Sequence, residues 1–191
     1  MPKQRITREM VVDAAFALAR EGGMERVLVK DIAARLSCSV QPIYSCFRNM
    51  EELRRAVEGR TAQFLADYLS ARLAPGDLFR STGRAYVQLA RDEPELFKIF
   101  ILRRREGVSS LDGLYRAEAS PGVADTIAGS LGLDQAAARR LHLDMLIYTV
   151  GLGTIFSVST PGIPAEELYA QQERAYQAFL NHAREENNHE S

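Results

Sequence analysis

A chain of 191 residues, 46 % apolar and 26 % charged, has the make-up of a soluble globular protein and can bury a sizeable core in one or two domains. No apolar run reaches the ~18 residues of a membrane span, and the opening MPKQRITREM lacks the apolar stretch of a signal peptide, so a cytoplasmic protein with no membrane contact is expected. The net charge of −1 hides an asymmetry: residues 1–60 hold 11 Lys or Arg against 8 Asp or Glu, and residues 61–191 hold 13 against 17, which suits nucleic-acid contact through the N-terminal end.

Lys3, Arg5 and Arg8 make a short basic arm of the kind that lies along a phosphate backbone or in a minor groove. A first helix is predicted over 7–21, with Val11, Ala14, Ala15 and Leu18 as its buried stripe and Gly22-Gly23 as a left-handed stop. Residues 29–36 place Ile32, Ala33 and Leu36 on one helical face and leave Lys30, Asp31 and Arg35 for solvent or a partner. Ser37-Cys38-Ser39 then breaks the pattern. Ser39 suits the N-cap of a second helix over 40–47, in whose first turn Pro42 is tolerated because N–H groups there have no intrahelical acceptor. Two short helices around a tight turn form a helix-turn-helix, whose second helix lies in the DNA major groove.

A long helix follows from Asn49, where Glu52 three residues on makes a capping-box-like arrangement. It runs through Leu53, Val57, Phe64, Tyr68 and Leu73 to Pro75-Gly76, carrying the chain from the DNA-binding end into the body without a flexible linker. Further helices are predicted over 77–92, after Pro94, over 123–131 up to Gly132, over 134–159 behind an Asp134 cap, and over 165–186. Residues 107–121 read as a loop with a helical turn near 111–117, Pro161 to Pro164 as a turn, and the terminal ENNHES as a fraying end. The reading is all-α with about nine helices: a helix-turn-helix domain over 1–55 and a helical effector-binding and dimerisation domain over 56–191.

The first third of the chain resembles the TetR family of bacterial transcriptional regulators. Its pattern is met by Ala14 and Ala15, Gly23, Ile32 and Ala33, Tyr44 and Phe47, then Glu51 and Leu53. Leu28 stands where a Ser or Thr usually caps the second helix, and Cys46 and Met50 stand where the family often has His and Lys touching phosphates. The remainder matches only in helical character and length. The resemblance implies a small-molecule cavity among the middle helices and a dimer made by pairing the last two long helices with their mates.

The candidate DNA-binding residues are Lys30, Ser39, Val40, Gln41, Pro42, Tyr44, Ser45, Arg48 and Asn49. Gln41 can pair bidentately with adenine, Val40 and Pro42 can meet a thymine methyl, and Tyr44 and Ser45 can reach phosphates, as can Arg48 and the N–H groups after Asn49. Tyr86, Phe97, Phe100, Tyr115, His142, Met145 and Tyr148 are candidates for the effector pocket, although most would serve as plain core in any helical bundle. Leu152, Phe156, Leu168, Ala175 and Phe179 are candidates for the dimer interface, near two glycines, Gly151 and Gly153, whose cost of about 1 kcal/mol each in a helix interior would be offset by close approach of another helix or a ligand. Arg103-Arg104-Arg105 reads as a solvated helix end.

Nothing points to catalysis, a cofactor or a metal. His142, His182 and His189 have no nucleophile motif, metal spacing or phosphate loop beside them. Cys38 and Cys46 have neither a zinc-site spacing nor a disulfide framework. The expected function is a homodimeric, ligand-responsive repressor that leaves an inverted-repeat operator in double-stranded DNA when a small, partly apolar effector of unknown identity binds. The alternative is a helical adaptor that uses its helix-turn-helix to bind protein.

Overall fold

The computed structural model describes residues 6–159 and 162–189. Among them the chain is all-α, with ten α-helices and a 3-10 turn at Met24–Arg26. The helices are α1 (Arg8–Gly22), α2 (Val29–Arg35), α3 (Gln41–Cys46), α4 (Met50–Ser70), α5 (Leu78–Asp92), α6 (Pro94–Ile101), α7 (Leu111–Glu118), α8 (Val123–Leu131), α9 (Gln135–Ser159) and α10 (Ala165–His189). Lys3 and Arg5 of the expected arm, Pro161 of the expected turn and the side chains of residues 187–191 lie outside the described residues.

Most boundaries follow local chemistry. Thr7 caps α1 by accepting from Met10 N at 3.2 Å, and Gly23 closes it at φ +79° with its N–H on Ala19 O. Asn49 Oδ1 accepts from Glu52 N at 2.8 Å to cap α4, and Asp134 Oδ1 accepts from Ala137 N at 2.8 Å to open α9. As its apolar side chain implies, Leu28 gives α2 no side-chain cap.

Four expectations change. The N-cap of α3 falls on Val40, whose carbonyl is the first acceptor, so Ser39 sits one residue too early to cap it. Residues 111–118 form a whole helix, because the Ser110 hydroxyl accepts from Gly113 N at 3.0 Å and nucleates it. Helix α4 stops at Ser70, short of the expected run to Pro75-Gly76: the Ser70 hydroxyl bonds back to Asp67 O at 3.0 Å, and Pro75 disfavours helical backbone just ahead of it. Helix α9 is long and apolar enough, by length and composition, to cross a membrane, a test that core helices of soluble proteins also pass.

The chain divides into two compact units, and the division does not follow chain order. One unit takes the described residues up to Ala71 and then Leu89–Arg103. Its core joins Val11, Ala14, Ala15 and Leu18 of α1 to Ile32 and Ala33 of α2, Ile43 and Phe47 at α3, and Leu53 and Val57 of α4. Each fully buried Ile, Val or Phe contributes roughly 1.5–3 kcal/mol, and the alanines let the short helices lie close to α1. The returning segment is tied in by polar contacts. Arg20 grips Glu93 through both nitrogens of its fork, with Nε 2.7 Å from Oε2, and the Tyr68 hydroxyl donates to Asp92 Oδ2 at 2.7 Å.

The other unit comprises Arg72–Gln88 and the residues from Arg104 onward. Ile127, Ala137, Ala138, Leu141, Met145, Tyr176 and Leu180 form a core shared by α8, α9 and α10. A polar node is set among these helices. Gln172 Nε2 donates to Thr149 Oγ1 at 3.1 Å and lies over Gly83, where a Cβ would come within 2.7 Å of it. Glycine at 83 is thus what admits the amide.

Ser37, in the turn between α2 and α3, takes φ +52°, the only non-glycine described residue with positive φ. Left-handed backbone costs an L-residue about 1–2 kcal/mol, and glycine's extra unfolded-state entropy costs it about 0.5–1 kcal/mol. Ser37→Gly should therefore stabilise the protein by about 0.5–1 kcal/mol, read as a higher denaturation midpoint with an unchanged slope.

Candidate nucleic-acid interface

Helix α3 is held by a single buried side chain of its own, Ile43, with Phe47 buried just past its end. With Ile43 facing inward, the 3.6-residue period turns Val40, Gln41, Tyr44 and Ser45 outward, and Tyr44 is 57 % exposed. Pro42 is half-buried within the first turn. The Ser45 hydroxyl donates to Gln41 O at 3.1 Å, so its proton is used inside the helix while its lone pairs remain available. Lys30 of α2, together with Ser39, Arg48 and Asn49, is also exposed. All nine predicted DNA-binding residues thus lie on α2, the turn, α3 or the entry to α4, and all but the half-buried Pro42 are exposed.

The entry to α4 is more committed than the sequence suggests. Asn49 Oδ1 takes the Glu52 N–H, and Glu52 Oε2 takes the Arg48 N–H at 2.9 Å, so two backbone donors near this terminus already have carboxylate or amide partners. Glu51 and Glu52 add acidic charge to the first turn. The Arg48 N–H bond and then the Arg8 side chain hold the Glu52 carboxyl below the usual carboxylate range.

Arg8, expected in the basic arm, is turned to the protein. One guanidinium nitrogen donates to Cys46 O at 2.8 Å and to Glu52 Oε1 at 3.0 Å, and the group stacks 4.0 Å from the Phe47 ring centroid. Sequence spacing could not show this, because the partners lie 38 and 44 residues away.

The predicted effector residues fall in both units. Phe97 and Phe100 lie on α6 in the first, where Phe97 is completely buried as core. Tyr86, Tyr115, His142, Met145 and Tyr148 lie in the second. Tyr115 and His142 meet there: the hydroxyl and Nδ1 share a hydrogen bond of 3.1 Å, and the rings pack edge to face at 5.4 Å. Phe79, absent from the sequence reading, completes the group against both His142 and Tyr176. Burial pushes the His142 pKa down from 6.5 and the Tyr115 pKa up from 10.0, so both side chains are neutral at pH 7. A cleft of about 240 Å³ in the same unit is lined by Leu111, Arg140, Leu143, Asp144, Phe179 and His182 among others. It contains none of the predicted effector residues.

Of the predicted dimer residues, Phe156 and Leu168 are buried within the chain, while Leu152, Ala175 and Phe179 are half-buried. The outward face of α9 instead carries Ile147, Ile155 and Val158, the last two 57 % and 67 % exposed. Gly151 lies on the same stripe and faces open space. Periodicity marked α9 as apolar on several sides but could not say which side stays uncovered. Among the described residues no group of His, Cys, Asp or Glu could hold a metal.

Residues 11–57, which contain the whole helix-turn-helix, match the family model of bacterial regulatory proteins, tetR family. The fold is similar to the crystal structure of a transcriptional regulator from Rhodococcus sp. Rha1, with a TM-score of 0.60 and 18 % identity over 92 % of this chain and 97 % of that one. No curated protein sequence matches. Residues 11–57, with the outward face of α3 among them, thus form a helix-turn-helix of the tetR-family type, a match that supports a DNA-binding transcriptional regulator.

Proposed function

We propose that the protein is a homodimeric repressor in the cytoplasm that releases an inverted-repeat operator when a small, partly apolar molecule binds its second unit. The observation that carries the DNA-binding part is the face of α3, polar and exposed around one buried isoleucine. A six-residue helix reads too few base pairs for useful specificity, and a two-fold dimer supplies the second half-site. The uncovered apolar stripe of α9 supports such a dimer, with Gly151 allowing close approach of a partner helix. This stripe replaces Phe156 and Leu168, whose side chains are already used inside the chain.

For the effector we favour the aromatic group of the second unit, around Tyr115, His142, Met145, Phe79 and Tyr176. Its neutral, hydrogen-bonding side chains in apolar surroundings suit a ligand with one or two polar groups. Helix α4 lies wholly in the first unit, while α5 has residues in both, so of the places where the chain passes between the units α5 is a helical one, able to carry a change at the effector site to the DNA-binding unit. DNA fixes the separation of the two α3 helices, and a ligand that prefers another separation weakens operator binding by linkage.

Gln41→Ala should cost about 1–3 kcal/mol of discrimination at one base position, whereas Arg48→Ala should weaken all duplexes alike and flatten the salt slope by about one unit. Affinities of both variants for a duplex selected from random DNA by the wild type check this, and an absence of salt-dependent duplex binding would favour the adaptor reading. Ile155→Asp and Gly151→Leu should turn the dimer into a folded monomer in sedimentation at micromolar concentration.

The depressed His142 pKa carries a definite sign. Its stabilising contribution is complete above the unfolded value near 6.5 and is lost as pH falls through the lower folded value. The thermal midpoint should accordingly fall on acidification below about pH 6.5, and fall less in His142→Gln.

A further inference from the structure

We propose that Arg8 is a positioning residue for DNA binding: it contacts neither base nor phosphate, but fixes the C-terminal end of α3 against α1 and α4 and so sets the angle at which α3 meets DNA. This rests on the reading of α3 as the helix that enters the major groove.

Helix α3 is six residues long, has no side-chain cap at its start and has no basic residue in its last turn. Such a helix is unstable alone, and its final carbonyls lack intrahelical donors. Arg8 supplies from α1 what α3 lacks, a cationic donor on Cys46 O at the negative end of the helix. The same nitrogen bonds Glu52 Oε1, and Glu52 in turn holds the Arg48 N–H, so the chain leaving α3 is gripped from both sides. The guanidinium carbon lies 4.0 Å from the ring centroid of Phe47, the buried residue that ends α3. Three helix ends therefore meet on one side chain. An ammonium at this position could keep the charge and both hydrogen bonds, but as a compact, strongly hydrated point charge it would lose the guanidinium's contact with the Phe47 ring.

The opposing possibility is that Arg8, about half-exposed, is a phosphate ligand like other cations of this unit. The two roles predict opposite behaviour. The probes are a duplex selected from a random library by the wild-type full-length chain and an unselected duplex of equal length. The readouts are the ratio of the two affinities and the dependence on salt, with thermal melting to correct for the folded fraction. If Arg8 positions α3, Arg8→Ala lowers the ratio about tenfold, the size of one lost base contact, and leaves the salt slope unchanged. Arg8→Lys then fails to restore the ratio. Glu52→Gln lowers it in the same direction but by less, since it keeps an acceptor for the Arg48 N–H.

If Arg8 is a phosphate ligand, Arg8→Ala flattens the salt slope by about one unit at a constant ratio, Arg8→Lys restores binding, and Glu52→Gln tightens it by freeing the cation. That pattern overturns the proposal, as does an unchanged ratio in folded Arg8→Ala, which leaves Arg8 a purely stabilising role. Failure of the wild type to select any duplex would overturn the reading of α3 itself, and the proposal with it.

Discussion

A helix of six residues cannot hold its own shape in water, and the second helix of the helix-turn-helix is such a helix. The order of α3 is borrowed. Its one inward residue, Ile43, enters a core that α1, α2 and α4 complete, and its exit is fixed by Phe47 beneath the Arg8 guanidinium. The small residues of α1 are necessary to this arrangement, because bulkier side chains at Ala14 or Ala15 would push α2 and α3 off the surface they rely on. The strained turn at Ser37 belongs to the same economy of space, since a sharp reversal between two very short helices demands a left-handed residue.

Electrostatics in the first unit is more economical than the residue count implies. The sequence gives residues 1–60 a surplus of three positive charges, and it is natural to assign them all to DNA. Yet Arg8, Arg20, Arg35 and Arg60 each lie against a carboxylate, namely Glu52, Glu93, Glu21 and Asp13. Exposed pairs of this kind contribute little stability, but they remove charge from the surface seen at a distance. Lys30 and Arg48, both exposed, are the cations of the proposed DNA-binding set.

The helical character of the chain, most helix boundaries and the two helices of the motif were legible because they rest on local signals: a 3.6-residue apolar period, capping side chains and glycine stops. Of the outward set Val40, Gln41, Pro42, Tyr44 and Ser45 read from the sequence, all but the half-buried Pro42 are exposed around the buried Ile43. What escaped was decided at long range. Arg8 reads as part of a free arm until the fold brings Cys46 O and Glu52 to it. Phe97 reads as a pocket aromatic until α6 joins the core of the first unit. On α9 the apolar residues on different sides are alike in sequence, and only packing separates Phe156, buried within the chain, from Ile155 beside it, which is exposed.

The return of residues 89–103 to the first unit bears on the modularity of the protein. A regulator of this kind invites exchange of its DNA-reading end with that of a relative, cut in the loop after α4. Such a cut would strip Arg20 of the buried Glu93 and Tyr68 of Asp92, and would remove Leu96 and Phe97 from the interior of the unit. The graft that respects the packing is discontinuous. It carries the N-terminal segment together with the last turn of α5 and all of α6, so that the inherited piece is defined by a shared interior and not by a stretch of chain.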